Sequence, residues 1–339
     1  MSLAYGRWTV DHALPVGATE RAEVGAHLNA GDVIAAGSVF GTALRVGGAR
    51  RLGLSPEALA QDLRVPVGAE VAARTIVART GRRLVRAVSA PIDGRLIQIG
   101  ADGDLYFAPV VGRWVARSAL DGVVTRSDDA RVSLEGEAWS LQGVAAYGPD
   151  AAGELTLGIA SAADELAPAK LDVRLGGRIM IGGARVSAET ITRAHACGIA
   201  ALVAGGANAA GLRLVFGEQL RAGGAPTRED RPTVLCLFGF GTTRLPEGLF
   251  DALARFSGAR AAIHTASARL FVFAPPDGPS AAVSAGLALA NDYSAVRVLD
   301  AACEPAGETS FQSGVRAQAL RCGGEVFASA NVSWFGPQR

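Results

Sequence analysis

From Val16 to about Val144, apolar positions come in short β-type runs separated by glycine. Leu28–Asn29–Ala30–Gly31–Asp32–Val33–Ile34 is one such unit, running on through Ala35, Ala36, Gly37 and Ser38 to Val39. Val65–Pro66–Val67–Gly68–Ala69–Glu70–Val71, followed by Thr75–Ile76–Val77, repeats its logic. In both, an apolar residue precedes a Gly-acid or Gly-x-acid turn and β-branched residues follow. Glycine supplies the positive φ of a tight turn, and the acid accepts turn N–H groups. Between the two units, Ser55, Pro56 and Glu57 read as the N-cap, first position and first-turn acid of a short helix over Pro56–Leu63. Further on, Ser89–Ala90–Pro91–Ile92–Asp93–Gly94–Arg95–Leu96–Ile97 is echoed by Ser118–Ala119–Leu120–Asp121–Gly122–Val123–Val124. Both are Asp-Gly turns feeding apolar strands, with Gly103–Phe107 and Arg131–Leu134 as returning strands.

The pattern changes near Asp164–Asp172. A strand at Arg178–Ile181 ends at Gly182–Gly183. Ser187 and Glu189 then open a helix over Ala188–Cys197, which Gly198 stops. Strands at Ile199–Ala204 and Thr233–Phe238 end at Gly205–Gly206 and at Gly239–Phe240–Gly241. A helix over Pro246–Phe256 follows, then strands at Ala261–Ile263 and Arg269–Phe273. Apolar strands alternating with helices predict a wound α/β layer with a mainly parallel sheet. Pro275, Pro276, Gly278 and Pro279 break the pattern. The tail then offers short strands at Ala295–Leu299, Val315–Leu320 and Glu325–Ala328. The expected architecture is multidomain α+β: a Gly-turned β region over 1–165, an α/β domain over 166–276, and a linker with a small β region over 277–339.

Hydrophobic residues make up 49% of the chain, enough to bury cores. The formal charge of +1 offers none of the long-range attraction of a strongly basic nucleic-acid binder. The N-terminus, with Arg7 and Asp11, has no apolar core of signal-peptide length. The apolar stretches Gly198–Leu212 and Ala281–Ala290 fall short of the ~18–20 residues a membrane-spanning helix needs. Cys197, Cys236, Cys303 and Cys322 form no C-x-x-C pair, and Cys197 and Cys236 sit in apolar contexts that suit reduced buried thiols. The expectation is a cytoplasmic protein, with peripheral membrane association left open.

The segments around Gly31–Asp32–Val33 and Val65–Pro66–Val67–Gly68, closing on Ala90–Pro91–Ile92–Asp93–Gly94–Arg95–Leu96, resemble the biotinyl/lipoyl barrel-sandwich family. They are similar in that sense to the β modules of Rnf- and Nqr-type electron-transport subunits. The resemblance covers roughly the first 100 residues and implies a β sandwich used as a swinging carrier or as a docking element. Carriers of this class attach their cofactor to a lysine, and the only lysine here is Lys170. A covalent biotin or lipoyl arm is therefore excluded for the N-terminal region. Iron–sulfur clusters need closely spaced cysteines, which the chain lacks. The docking role is what the resemblance leaves. The tail from Val296 to Phe335, turning at Glu304–Pro305–Ala306–Gly307, loosely resembles an SH3-like or KOW barrel, a fold that binds proteins or nucleic acid.

Two groups of residues are candidates for contact with a ligand or partner. Ligands of parallel sheets bind outside the carboxyl ends of the strands, where glycine allows close approach and helix N-termini favour anions. Gly182, Gly183, Gly205, Gly206, Gly239 and Gly241 line such ends, and Thr242, Thr243 and Arg244 offer groups for a phosphate or carboxylate. His264, closing a strand before Thr265, is placed near the same crevice. The alternative is that these glycines only make tight turns. Arg74, Arg79, Arg82, Arg83 and Arg86 form a basic run with no acid between Val71 and Ile92. It suits an acidic protein partner or phosphates, or else is a solvated hairpin face. Aromatics for base stacking are absent from it, so protein docking is favoured over nucleic acid.

Several chemistries are argued against. Gly239–Phe240–Gly241 has Arg244 where a dinucleotide fingerprint needs its third glycine, and no Gly-Lys-Ser/Thr exists, so neither NAD nor a P-loop nucleotide is expected. Ala282–Val283–Ser284–Ala285–Gly286 lacks the first glycine of a nucleophile elbow. His12, His27, His195 and His264 form no H-x-x-x-H or Cys/His group, so no metal site and no catalytic set is assigned. The expected function is a non-catalytic scaffold or accessory subunit that docks a protein, with a small anionic ligand at the glycine-lined crevice. The alternatives are an enzyme acting at that crevice, and a nucleic-acid binder using the Arg74–Arg86 run and the tail.

Overall fold

Ser187 accepts the N–H of Thr190 at 3.1 Å, Glu189 occupies the first turn, and the helix Ala188–Ala196 buries Thr190, Ile191 and Ala194 along one stripe. Gly198, at φ +68°, releases the chain into the strand Ala201–Ala204. That strand, Ile179–Ile181 and Thr233–Cys236 are buried at every position, as parallel strands covered on both faces must be. With Ala151–Leu157 they make four parallel strands in the order Thr233–Cys236, Ala201–Ala204, Ile179–Ile181, Ala151–Leu157. Helices Ala188–Ala196 and Ala209–Phe216 connect successive parallel strands. The helix Glu247–Arg255 follows the last, burying Leu249, Phe250, Ala252 and Leu253.

The computed structural model describes residues 3–81, 85–216 and 231–276, and the backbone of strands at 292–299, 305–312, 319–322, 325–328 and 333–337. Strand outweighs helix, 45% against 16%, and the class is mixed α+β with a large mixed sheet. The SH3-like expectation falls on 277–339, outside the described residues but for those strand backbones. No described helix is long and apolar enough to cross a membrane.

The parallel strands are one flank of an eleven-stranded sheet. Beyond Ala151–Leu157 the pairing turns antiparallel through Arg260–His264 and Arg269–Phe273 to Arg131–Gln142. The N-terminal strand Leu3–Ala13 pairs with Arg131–Gln142 along its whole length, from Leu3↔Leu141 to Ala13↔Arg131. The chain thus divides differently from the expected boundary at 165/166. One unit comprises 1–13, 22–34 and 116–339; the other comprises 14–21 and 35–115. The second has its own core, with Leu59, Val77, Leu96, Leu105 and Phe107 fully buried. Its helix Pro56–Gln61 starts at Ser55, whose side chain accepts the N–H of Ala58.

The two Asp-Gly echoes carry one hydrogen-bond scheme in two copies. Gly31 N–H donates to the Ser118 carbonyl and Arg74 N–H to that of Ala90, both at 2.8 Å. Ser118 N–H returns to Asp32 O, and Ala90 N–H to Thr75 O. Asp121 Oδ1 accepts from Ala30 N, and Asp93 Oδ1 from Ala73 N, both at 2.7 Å. Gly25 N reaches Val124 O, as Gly68 N reaches Leu96 O. A Cβ on Gly122 would stand 2.2 Å from Glu135 O, and one on Gly94 2.2 Å from Ala108 O. Glycine at both turns is required by this close approach to the returning strand.

Candidate functional site

The glycine-lined strand ends do converge, but on the protein's own backbone. Gly205 N–H donates to Gly183 O at 2.7 Å, and Phe238 N–H to Gly205 O at 2.8 Å. A Cβ on Gly205 would meet Thr243 O at 1.9 Å, on Gly206 Gly241 O at 2.4 Å, and on Gly183 Asp164 O at 2.0 Å. The 239–243 loop and the Asp164 turn therefore fill the space that a doubly wound sheet offers its ligand. The amides there are committed too: Thr243 N–H to Ala184 O, and Gly241 N–H to Ala207 O. Arg244 is exposed and ion-paired to Glu247, and Thr242 is exposed. A cavity of about 350 Å³ lies nearby, lined by Arg185, Ser187, Ala188, Asn208, Gly211 and Leu214. Its Arg185 is paired to Glu165 at 2.9 Å, and its Ser187 caps the helix.

His264 lies elsewhere. Its strand runs antiparallel to Ala151–Leu157, so it ends beside the start of the parallel strands, opposite the glycines. There it meets two residues that local pattern did not connect. His12 Nδ1 is 2.8 Å from Asp150 Oδ2, and the rings of His12 and His264 stand edge to face with centroids 4.9 Å apart. One ligand atom from each of the three lies within 4.8 Å of the others. Both imidazoles are buried, and the Asp150 side chain keeps 21% of its surface in water. Thr265 N–H donates to Asp150 Oδ1 at 2.7 Å, His264 Nδ1 is 2.8 Å from Ser267 Oγ, and Ala119 N–H approaches His12 Nε2 at 3.4 Å.

The electrostatics follow from burial and from these contacts. Burial opposes ionisation of Asp150, but the hydrogen bond to His12, the two imidazoles and the Thr265 amide together hold its carboxyl below the ordinary value. Burial lowers the His264 pKa, and the neighbouring His12 adds to this, while Asp150 opposes it. A neutral His264 beside an ionised Asp150 is the resulting state near neutral pH. The absence of a clustered histidine motif is therefore misleading: the sheet gathers in space what lies 138 and 114 positions apart. One signal was readable, since His12 shares the buried face of an alternating strand with Val10.

The basic run lies on a hairpin of the second unit, Ile76–Thr80 paired with Arg86–Ser89. Arg74, Arg79 and Arg86 are exposed; Arg82 and Arg83 lie outside the described residues. The helix Gly48–Leu52, which carries exposed Arg50 and Arg51, packs on both hairpin strands. Arg64, also exposed, donates its N–H to Val77 O. None of Arg50, Arg51, Arg64, Arg74, Arg79 and Arg86 forms an ion pair among the described residues. By contrast, Arg45, Arg95 and Arg113 of the same unit pair with Asp102 and Asp104, Glu70 and Glu20. The unit holds twelve arginines against seven acidic residues, a net +5 where the whole chain is +1. The rest of the chain is correspondingly acidic, so the near-zero total conceals a basic unit.

Compared with known proteins, the chain matches no family model, no curated protein and no solved structure.

Proposed function

We propose that this chain is a non-catalytic docking or accessory subunit that holds an acidic protein partner on the arginine-rich face of its inserted β unit. The observation that carries this reading is the group of six exposed arginines without an ion pair among the described residues, in a unit of net charge +5. Unpaired surface charge of one sign is free to pair across an interface and speeds encounter with a partner of opposite sign. The resemblance of this region to barrel-sandwich docking modules supports the same role. The closed glycine crevice weakens both the small-anion reading and the enzyme acting there.

A nucleic-acid partner is less well served. Phe40, Tyr106, Phe107 and Trp114 are the aromatics of the unit, and none is exposed. Bases would find no stacking platform, leaving phosphate contacts alone. The test is recovery of partner protein by the tagged full-length chain from nuclease-treated extract of its own cells, across a salt series, beside Arg79→Glu/Arg86→Glu. The expected result is a partner of acidic composition that the wild type retains at low salt and the variant loses. Equal recovery by both proteins would contradict the proposal.

A further inference from the structure

We propose that His12, Asp150 and His264 form a binding site for a divalent cation of the zinc class, with two imidazole nitrogens and one carboxylate oxygen as ligands. This is independent of the docking reading, which uses the other unit. The ligand set is of a borderline type that suits zinc and its neighbours rather than the oxygen-seeking magnesium and calcium. Zinc bonds of ~2.0–2.2 Å in a tetrahedron space ligand atoms roughly 3.3 Å apart. The present separations, 2.8 Å for His12 Nδ1 to Asp150 Oδ2 and at most 4.8 Å overall, bracket that spacing. Small side-chain movements therefore close the site.

The surroundings are those of a held ligand set. Thr265 N–H occupies Asp150 Oδ1 and leaves Oδ2 turned to the imidazoles, while Thr265 Oγ1 is itself fixed on Pro149 O at 2.9 Å. Such second contacts orient ligands and keep them in place. Binding puts the cation where the proton between His12 Nδ1 and Asp150 Oδ2 now lies. The 3.4 Å contact from Ala119 to Nε2, the longest of the hydrogen bonds there, and the flexible Ser267 hydroxyl yield to it. Asp150, partly exposed, and Ser267, exposed, leave a side open to water, so a fourth ligand can enter from solvent. Thiols do not compete among the described residues: Cys197 and Cys236 are buried, and burial pushes the Cys236 thiol up to about 12.

The experiment is equilibrium dialysis of the full-length protein against Zn²⁺ alone, followed by metal analysis, with Mg²⁺ in parallel. Asp150→Asn and His264→Gln, which keep size and hydrogen-bonding capacity, are the variants, with folding checked by circular dichroism. The expected result is one zinc per wild-type chain, no magnesium, and affinity lowered about ten-fold or more in each variant. Co²⁺ substitution gives a second readout that needs no variant. Visible bands of a low-symmetry nitrogen–oxygen site, with no thiolate charge-transfer band, would support the site. No stoichiometric zinc on the wild type, unchanged affinity in folded variants, or a thiolate band would overturn it and leave the cluster a hydrogen-bonded clasp.

Discussion

Gly31 and Arg74 occupy the same place in two copies of one loop, and both take a left-handed backbone, at φ +96° and +68°. Each sends its N–H to the carbonyl of the residue three positions before the aspartate of an Asp-Gly turn, Ser118 in one copy and Ala90 in the other. At Gly31 that conformation is free of strain. A side chain in it costs roughly 1–2 kcal/mol. Arg74 therefore bears a local cost that its counterpart avoids.

Arg74→Gly is expected to stabilise the protein. Relief of the left-handed strain outweighs the added freedom of glycine in the unfolded chain, which costs about 0.4–1 kcal/mol, leaving a gain of about 0.5–1 kcal/mol. Urea unfolding measures it. A lower midpoint in the variant would show that the Arg74 side chain contributes more to the fold than its exposure suggests.

Two glycines in the α/β part should respond to alanine with opposite signs. Gly205→Ala forces a methyl to within 1.9 Å of Thr243 O and should destabilise by about 3 kcal/mol or more, or open the 239–243 loop. Gly248, in the helix Glu247–Arg255, has nothing within 4 Å of a Cβ. Gly248→Ala should stabilise by up to about 1 kcal/mol. Thermal unfolding of the pair decides. A neutral Gly205→Ala would mean that the strand ends are not closed as described.

Charge reversal on the basic face should leave the fold alone. Because Arg79 and Arg86 have no ion pair among the described residues, Arg79→Glu/Arg86→Glu is expected to move Tm by no more than about 2 °C. A scanning melt checks this. A large loss of Tm would return these arginines to a structural role and make the docking variant uninformative.

Acidification should weaken the protein in two stages. His264 has its pKa depressed by burial in the fold, so the unfolded chain binds the proton more readily; stability is full above the ordinary histidine value and falls as pH drops below it. Asp150, held ionised in the fold, adds a second loss as pH falls below the ordinary carboxylate range. Urea midpoints from pH 8 to pH 2 measure both. His264→Gln should flatten the first stage, and an unchanged profile would contradict a neutral His264.

The wound part of the fold was legible because its signals are local. The Ser187 cap, the stop at Gly198 and the apolar runs at Ile179–Ile181 and Ala201–Ala204 lie within a few residues of what they determine. The partner of Leu3–Ala13 was not, since it lies over a hundred residues away and alternation does not say with which strand a strand pairs. The doubled framework was visible in Asp93–Gly94 and Asp121–Gly122. Its other half was obscured because arginine stands at 74 where glycine stands at 31. Glycines at strand ends read alike whether they admit a ligand or their own loop, and only the distance from Gly205 to Thr243 O separates the two. The basic unit was hidden in a total of +1, and His12 and Asp150 reach His264 only through the sheet.

Native mass spectrometry of the chain recovered from its own cells, wild type beside Arg79→Glu/Arg86→Glu, tests the docking assignment most directly. The expected result is a stoichiometric protein partner on the wild type, absent from the folded variant, with no nucleic acid in the bound mass. A wild-type chain that emerges alone, a partner retained by the variant, or a bound mass made of nucleic acid would contradict it.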